Sequence, residues 1–280
     1  MLLSAVIICK NEEQNIARTL ASVVDLADEV ILLDSGSTDH TLDVARTFGD
    51  KVKIFQEEWK GFAAQKNSAI AKASGEWILS LDADEEVSPL LGRELKEALG
   101  KKEEPQQKPG ENAGQIIAGD GPFCGVTIPR DAYSIPRKNF FMERWIRRGG
   151  FYPDRKIRLV KKELAVFEDR AVHEDMKVSG QILPLHGAIL HHAYPTLSSY
   201  IEHMNRYSSL GAEMVVAKGK HGFSFFNIVV RPWATFLYNY FLRLGFVDGR
   251  EGLLLHLYHA VYVSWKYAKV WELSRKVRPT

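Results

Sequence analysis

Cysteine is nearly absent: Cys9 and Cys124 are the only two in 280 residues. Two isolated thiols exclude a disulfide-stapled scaffold and a zinc site built from Cys-x-x-Cys pairs. Cys9 lies inside an apolar run and reads as a core thiol. No stretch holds the roughly 20 clean apolar residues that a spanning helix needs. The start, Met1 to Val6, lacks the basic residues and cleavage site of a secretory leader and runs straight into Lys10-Asn11-Glu12-Glu13, so a strand is expected there. The scarcity of cysteine suits a reducing compartment, and a cytoplasmic setting is expected. Gly-x-Gly-x-x-Gly and the Walker loop are missing, which leaves a dinucleotide or P-loop reading unsupported. Charge of one sign is also lacking. Lys and Arg total 37 against 35 Asp and Glu, a net of +2, and no nucleic-acid motif accompanies the basic residues.

What is present is a hydrophobic fraction of 45%, enough for a packed core. Leu2 to Cys9 is a continuous apolar run, as a strand buried on both faces should be. Ile16, Leu20, Val23 and Val24 then mark one face of a helix. Strands are expected at Glu29–Leu33, Val52–Phe55 and Trp77–Leu81, with helices at Thr41–Phe48, Phe62–Ala73 and Leu90–Leu99. Such alternation predicts a parallel sheet wrapped by helices. Gly100 to Gly121 is polar and Pro/Gly-rich and reads as a mobile surface insert. Short strands and turns follow to Ala193, and the chain is helical from Thr196 onward.

The unusual polar groups collect where these strands end. Strand one runs into Lys10-Asn11-Glu12-Glu13, strand two into Asp34-Ser35-Gly36-Ser37-Thr38-Asp39, and the fourth into Asp82-Ala83-Asp84-Glu85. In an open parallel sheet, ligands bind outside these carboxyl ends. On an extended backbone Asp82 and Asp84 share a side, and two converging carboxylates suit a divalent cation whose shell substrate phosphates complete. The same acids, with Ser88-Pro89, also suit a helix start. Ser37, Thr38 or Asp39 could merely cap a helix, whereas Asp34, ending an apolar strand, could accept from a base N–H or a ribose hydroxyl.

Taken with Gln65-Lys66-Asn67, these elements resemble the family-2 glycosyltransferases of GT-A fold in order and spacing. A later block resembles a narrower branch, the lipopolysaccharide inner-core beta-glucosyltransferases: Arg137-Lys138-Asn139-Phe140-Phe141-Met142, Trp145 to Gly150, Tyr152 to Leu159 and Ala171-Val172-His173-Glu174. The resemblance implies an α/β, Rossmann-like, mostly parallel central sheet with flanking helices and a helical C-terminal extension. It implies a nucleotide-sugar half over 1–99, the insert at 100–121, an acceptor-binding and catalytic half over 122–195, and the helical region over 196–280. Asn11, Glu12, Asp34, Ser35, Lys66, Asp82, Ala83 and Asp84 would bind the nucleotide sugar. Asp82, Asp84 and His191 would hold Mn²⁺ or Mg²⁺, although His191 is also placed to be an ordinary histidine near a strand end. Glu174 would be the base, with Asp175, Glu168 and Asp169 as rivals.

Arg147, Arg148, Arg155 and Arg158, with His173, are the expected acceptor site, because arginine forks suit phosphate and the neighbouring aromatics suit sugar rings. A solvated basic face would look the same. Direct displacement by the acceptor hydroxyl would invert the anomeric centre. The implied reaction moves a hexose, glucose from UDP-glucose, to a lipopolysaccharide-core or lipid-linked acceptor on the inner face of the cytoplasmic membrane. A polyprenyl-phosphate sugar transferase, another cell-surface polysaccharide enzyme and a non-catalytic nucleotide-sugar-binding scaffold remain open alternatives. The aromatic helices after Phe223 suit either a core or oligomer contact, or a membrane surface.

Overall fold

The computed structural model of the chain describes residues 1–100, 131–168, 176–219 and 221–277. The expected mobile insert lies almost wholly outside these residues, as do His173, Glu174, Asp175 and Asp169. The first four strands, β1 (Leu3–Cys9), β2 (Glu29–Asp34), β3 (Val52–Gln56) and β4 (Trp77–Asp82), are parallel and stand in the order β3-β2-β1-β4. The apolar run of β1 is buried throughout because its alternate side chains enter two different layers. Leu3, Ala5, Ile7 and Cys9 join one core and Val6 and Ile8 the other. Helices α1 (Ile16–Val23), α2 (Thr41–Arg46) and α3 (Phe62–Lys72) connect these strands, within two or three residues of the expected bounds.

A short strand missed by the sequence reading, β5 (Glu85–Val87), follows the turn at Ala83-Asp84. Helix α4 (Pro89–Ala98) then starts where Ser88 caps it and Pro89 fills its first turn, as helix-start chemistry requires. The remaining strands are β6 (Ala132–Phe141), β7 (Arg144–Trp145), β8 (Asp154–Lys161), β9 (Ile182–Pro184) and β10 (Ile189–Tyr194). They extend the same sheet as β4-β8-β6-β10-β5. β8 runs antiparallel to both β4 and β6, β10 is parallel to β6, and β5 is antiparallel to β10. The sheet is mixed but mostly parallel.

Where the loop before β4 passes under β1, Ser74 and Gly75 are held by a buried acid. Glu29 accepts from the Ser4 hydroxyl at 2.7 Å, from the Ser74 N–H and from Lys53 Nζ at 2.6 Å. Gly75 donates to Ser4 Oγ, and a Cβ on it would stand 2.6 Å from that oxygen. Burial alone would push the Glu29 carboxyl up, but the bonds from Lys53, Ser4 and Ser74 outweigh it and hold it at about 2. A carboxyl depressed in the folded state contributes stability above its ordinary value of 4.5 and loses that contribution as pH falls toward 2. Glu29→Gln is therefore expected to be less stable at neutral pH and to show a flatter acid limb across that window. Urea unfolding at several pH values checks this.

The C-terminal region packs α5 (Leu197–Ala217) against the long α7 (Gly249–Val277). Between them, α6 (Arg231–Leu237) sits in one continuous helical run with π-helical turns at Phe226–Val230 and Tyr238–Leu242. Pro232 has no N–H to give the Ile228 carbonyl one turn back. Ser264 of α7 donates its hydroxyl there instead, at 2.8 Å. Among the described residues no helix is long and apolar enough to cross a membrane.

Candidate active site

Strand register sets the site. Ile8 of β1 stands beside Asp82 and Cys9 beside Asp34, so the carboxyl ends of β1, β2 and β4 form one rim. From the other side of the sheet, β10 places His191 between Asn139 of β6 and Glu85 of β5. The turn between β4 and β5 thereby brings Asp84 to His191 Nε2 at 3.3 Å.

The orientation of the His191 ring follows from its neighbours. Asn139 Nδ2 points to the Phe151 carbonyl and to Asp154 Oδ2, at 3.3 and 3.4 Å. Its Oδ1 therefore meets His191 Nδ1 at 2.7 Å. An amide oxygen only accepts, so Nδ1 donates to it, and Nε2 is the nitrogen turned toward Asp84. Backing a metal-binding histidine in this way is a common arrangement. Burial alone would raise the Asp84 carboxyl, but His191 outweighs it and leaves the carboxyl lowered even though the Asp82 charge opposes it. Asp84 and His191 thus supply an anionic oxygen and a nitrogen that fit a divalent cation.

The expected trio of Asp82, Asp84 and His191 does not form. Among the described residues no three His, Cys, Asp or Glu side chains stand together as a metal site. Asp82 is engaged elsewhere, by Lys66 at 2.8 Å and Arg158 at 2.7 Å. Burial would raise its carboxyl, yet these two cations hold it well below the ordinary range. In this arrangement Asp82 is neutralised by two cations and stands apart from the Asp84–His191 pair.

Arg158 is likewise turned inward. It is 5% exposed and ties Asp82 to Glu85, itself fully buried, at 2.7 and 2.6 Å. Its guanidinium is used inside the molecule. Arg137 completes the cluster, bonding Glu85 at 3.2 Å and Asp154 at 2.7 Å.

Asp34 is held by the turn that follows it. It is wholly buried, and it accepts from the N–H groups of Gly36 and Ser37, the Ser37 hydroxyl and Gln56 Nε2. Burial would raise it, but these bonds, led by Ser37, leave it lowered. Its oxygens shape the turn at the end of β2. Ser35, also buried, has a hydroxyl without a hydrogen-bond partner among the described residues. Asn11 ties the first rim segment to the second, its Oδ1 accepting from the Thr38 N–H at 2.8 Å and its own N–H donating to Ser37 Oγ. Its φ of +56° is one that asparagine tolerates. The Glu12 carboxyl is raised by burial and by the charges of Asp84, Asp39 and Asp82, which makes this rim a focus of negative charge. Ala83 is buried, and its carbonyl accepts from Thr19.

Beside His191 lies a cleft of about 330 Å³ whose lining includes Asn139, Phe151, Asp154, Arg155, His191 and Tyr194. Arg155 reaches it while donating to the Ser134 and Leu185 carbonyls. Arg147 and Arg148 sit on the exposed loop after β7. Their N–H groups are fixed by the Asp248 carboxylate at 2.8–3.2 Å, and Arg147 covers the Trp145 ring at 4.5 Å. Asn139, Arg137 and Asp154 were given no site role in the sequence reading. Their only signal was membership of the polar blocks around Arg137 and Asp154.

The model of glycosyl transferase family 2 matches residues 4–104, which contain the whole acidic rim. An uncharacterised glycosyltransferase of Rickettsia typhi is 31% identical over 99% of this chain and 89% of its own length. The lipopolysaccharide core biosynthesis glycosyltransferase LpsC of Rhizobium meliloti is 27% identical over 99% of this chain and 95% of its own. Among solved structures, a mannosyltransferase from Pyrobaculum calidifontis in complex with GDP-Man and Mn²⁺ is 16% identical, with a TM-score of 0.49 over 98% of this chain and 86% of its own. The family match and the full-length relatives define a nucleotide-sugar-dependent glycosyltransferase. The chain belongs to glycosyltransferase family 2.

Proposed function

We propose that the chain is an inverting, metal-dependent glucosyltransferase that moves glucose from UDP-glucose to a lipopolysaccharide-core or other lipid-linked acceptor at the inner face of a membrane. The observation that carries the reading is the Asp84–His191 pair, backed by Asn139, beside a cleft that Arg155 also lines. The full-length likeness to a lipopolysaccharide core enzyme supports the acceptor class. Asp84 and His191 would hold Mn²⁺ or Mg²⁺, which when bound supplies Lewis-acid stabilisation of the departing diphosphate. Ser35 and Lys66 face the nucleotide side of the rim, and Lys66 keeps Asp82 ionised. Arg155 orients the acceptor in the cleft, with Arg147 and Arg148 at its outer edge. Glu174, outside the described residues, takes the acceptor proton, as the family resemblance implies.

A thermal-shift panel of UDP-, GDP- and ADP-sugars with and without Mn²⁺ tests the donor. UDP-glucose with Mn²⁺ should raise Tm and chelation should abolish the rise. At a hundred times Kd the gain is about 2.7 kcal/mol. A shift with GDP-mannose alone, or an equal shift without metal, would refute the donor or metal assignment. Offering heptose-terminated core against polyprenyl phosphate separates the two acceptor classes.

A further inference from the structure

The helical run from 225 to 242 leaves its large side chains in solvent. Phe226, Val230, Trp233, Leu237 and Phe241 recur every three or four residues, and all are 40–63% exposed. Soluble surfaces rarely present so many large apolar groups together without something to cover them. From Gly222 to Val247 the only charged residues are Arg231 and Arg243, with no carboxylate at all. Both arginines are exposed. Arg231 is steadied by the Tyr267 hydroxyl at 2.7 Å, and Arg243 lies over the Tyr238 ring at 5.1 Å.

We propose that this aromatic face seats in the headgroup region of an anionic bilayer and holds the acceptor cleft at the lipid surface. The chemistry is that of an interfacial helix, with Trp and Tyr at headgroup level, apolar side chains below and arginines reaching phosphate. A second copy of the chain is the poorer occupant. Pairing this face with itself would bring arginines together with no carboxylate on the face to receive them, whereas lipid phosphates complement them. The face is also continuous with the cleft. The Arg243 carbonyl accepts from the Gly149 N–H at 3.0 Å, and Gly150 and Phe151, two residues beyond, line the cleft. From the functional reading the proposal takes only that the acceptor is lipid-linked, and it does not depend on the donor.

Vesicle flotation of the full chain without donor tests it, using phosphatidylglycerol–phosphatidylethanolamine vesicles against phosphatidylcholine alone. The wild type should float with the anionic vesicles, less so in high salt. Trp233→Glu with Leu237→Glu should lose at least about tenfold in partitioning, with unchanged Tm and unchanged transfer to a water-soluble acceptor fragment. Three results would overturn the proposal: no flotation of the wild type, equal flotation of the variant, or a wild-type dimer in solution that the same substitutions split. If flotation fails while transfer to core acceptor persists, the docking face is wrong and the functional reading stands. The converse pattern separates them the other way.

Discussion

Asp84→Asn is expected to reduce sugar transfer by about a thousandfold or more at saturating donor, because several kcal/mol of charge stabilisation on the leaving diphosphate depend on that carboxylate. The substitution keeps the shape of the turn, and the Asp84 carbonyl still receives the His192 N–H, so Tm should change little. Asn139→Leu provides the graded companion. It leaves both ligand side chains in place but frees the His191 ring, and losses of a supporting group of this kind cost about 10–100-fold in metal affinity or activity. The Mn²⁺ concentration for half-maximal rate should therefore rise in Asn139→Leu, while excess metal restores much of the rate. Glu174→Gln should behave oppositely, binding donor and metal normally while losing turnover. Full transfer by Asp84→Asn would dismiss the metal assignment, and unchanged turnover in Glu174→Gln would dismiss the base.

Arg158→Met should destabilise the fold by about 3 kcal/mol, the low end of what removing one partner of a buried ion pair costs. The low end applies because each carboxylate keeps a second cation: Asp82 keeps Lys66 and Glu85 keeps Arg137. Arg158→Met combined with Glu85→Gln should recover part of the loss, since the wholly buried charge is then removed with its partner. Equilibrium urea unfolding of both variants measures this. A loss below about 1 kcal/mol, the value of an exposed pair, would mean that Arg158 does not bind these acids.

Arg158 also shows how far the sequence could be read. On an extended Lys156–Val160 it looks like one more surface arginine. Its fate is decided by Asp82 and Glu85, 76 and 73 residues away, and no local pattern reports them. Glu85 misled for the same reason. A glutamate beside Ser88-Pro89 looks like helix-start chemistry, and only the two arginines on β6 and β8 make a buried strand of it. Asp34 was correctly placed at a strand end, but the bonds it accepts from the Gly36 and Ser37 N–H groups had no signal of their own. The first four strands were legible because burial on both faces leaves a continuous apolar run, and the fourth helix because Ser88 and Pro89 act within one turn. The pairing of Asp84 with His191 was half legible. Both residues were named, while Asp82, expected to join them, had partners on two other elements.

The loop after β7 has a consequence for exchanging parts between relatives. Its arginine N–H groups end on Asp248, about a hundred residues later in the chain, and a Cβ on Gly149 would stand 1.9 Å from the His256 ring. The wall of the cleft is thus made by two distant stretches that fit only each other. A chimera that takes helices from 196 onward from one enzyme and the strands from another would set a foreign carboxylate or side chain against this loop. The portable unit for changing the acceptor is the pair, residues 144–151 together with 243–256, and homologous recombination that breaks between them separates a lock from its own key.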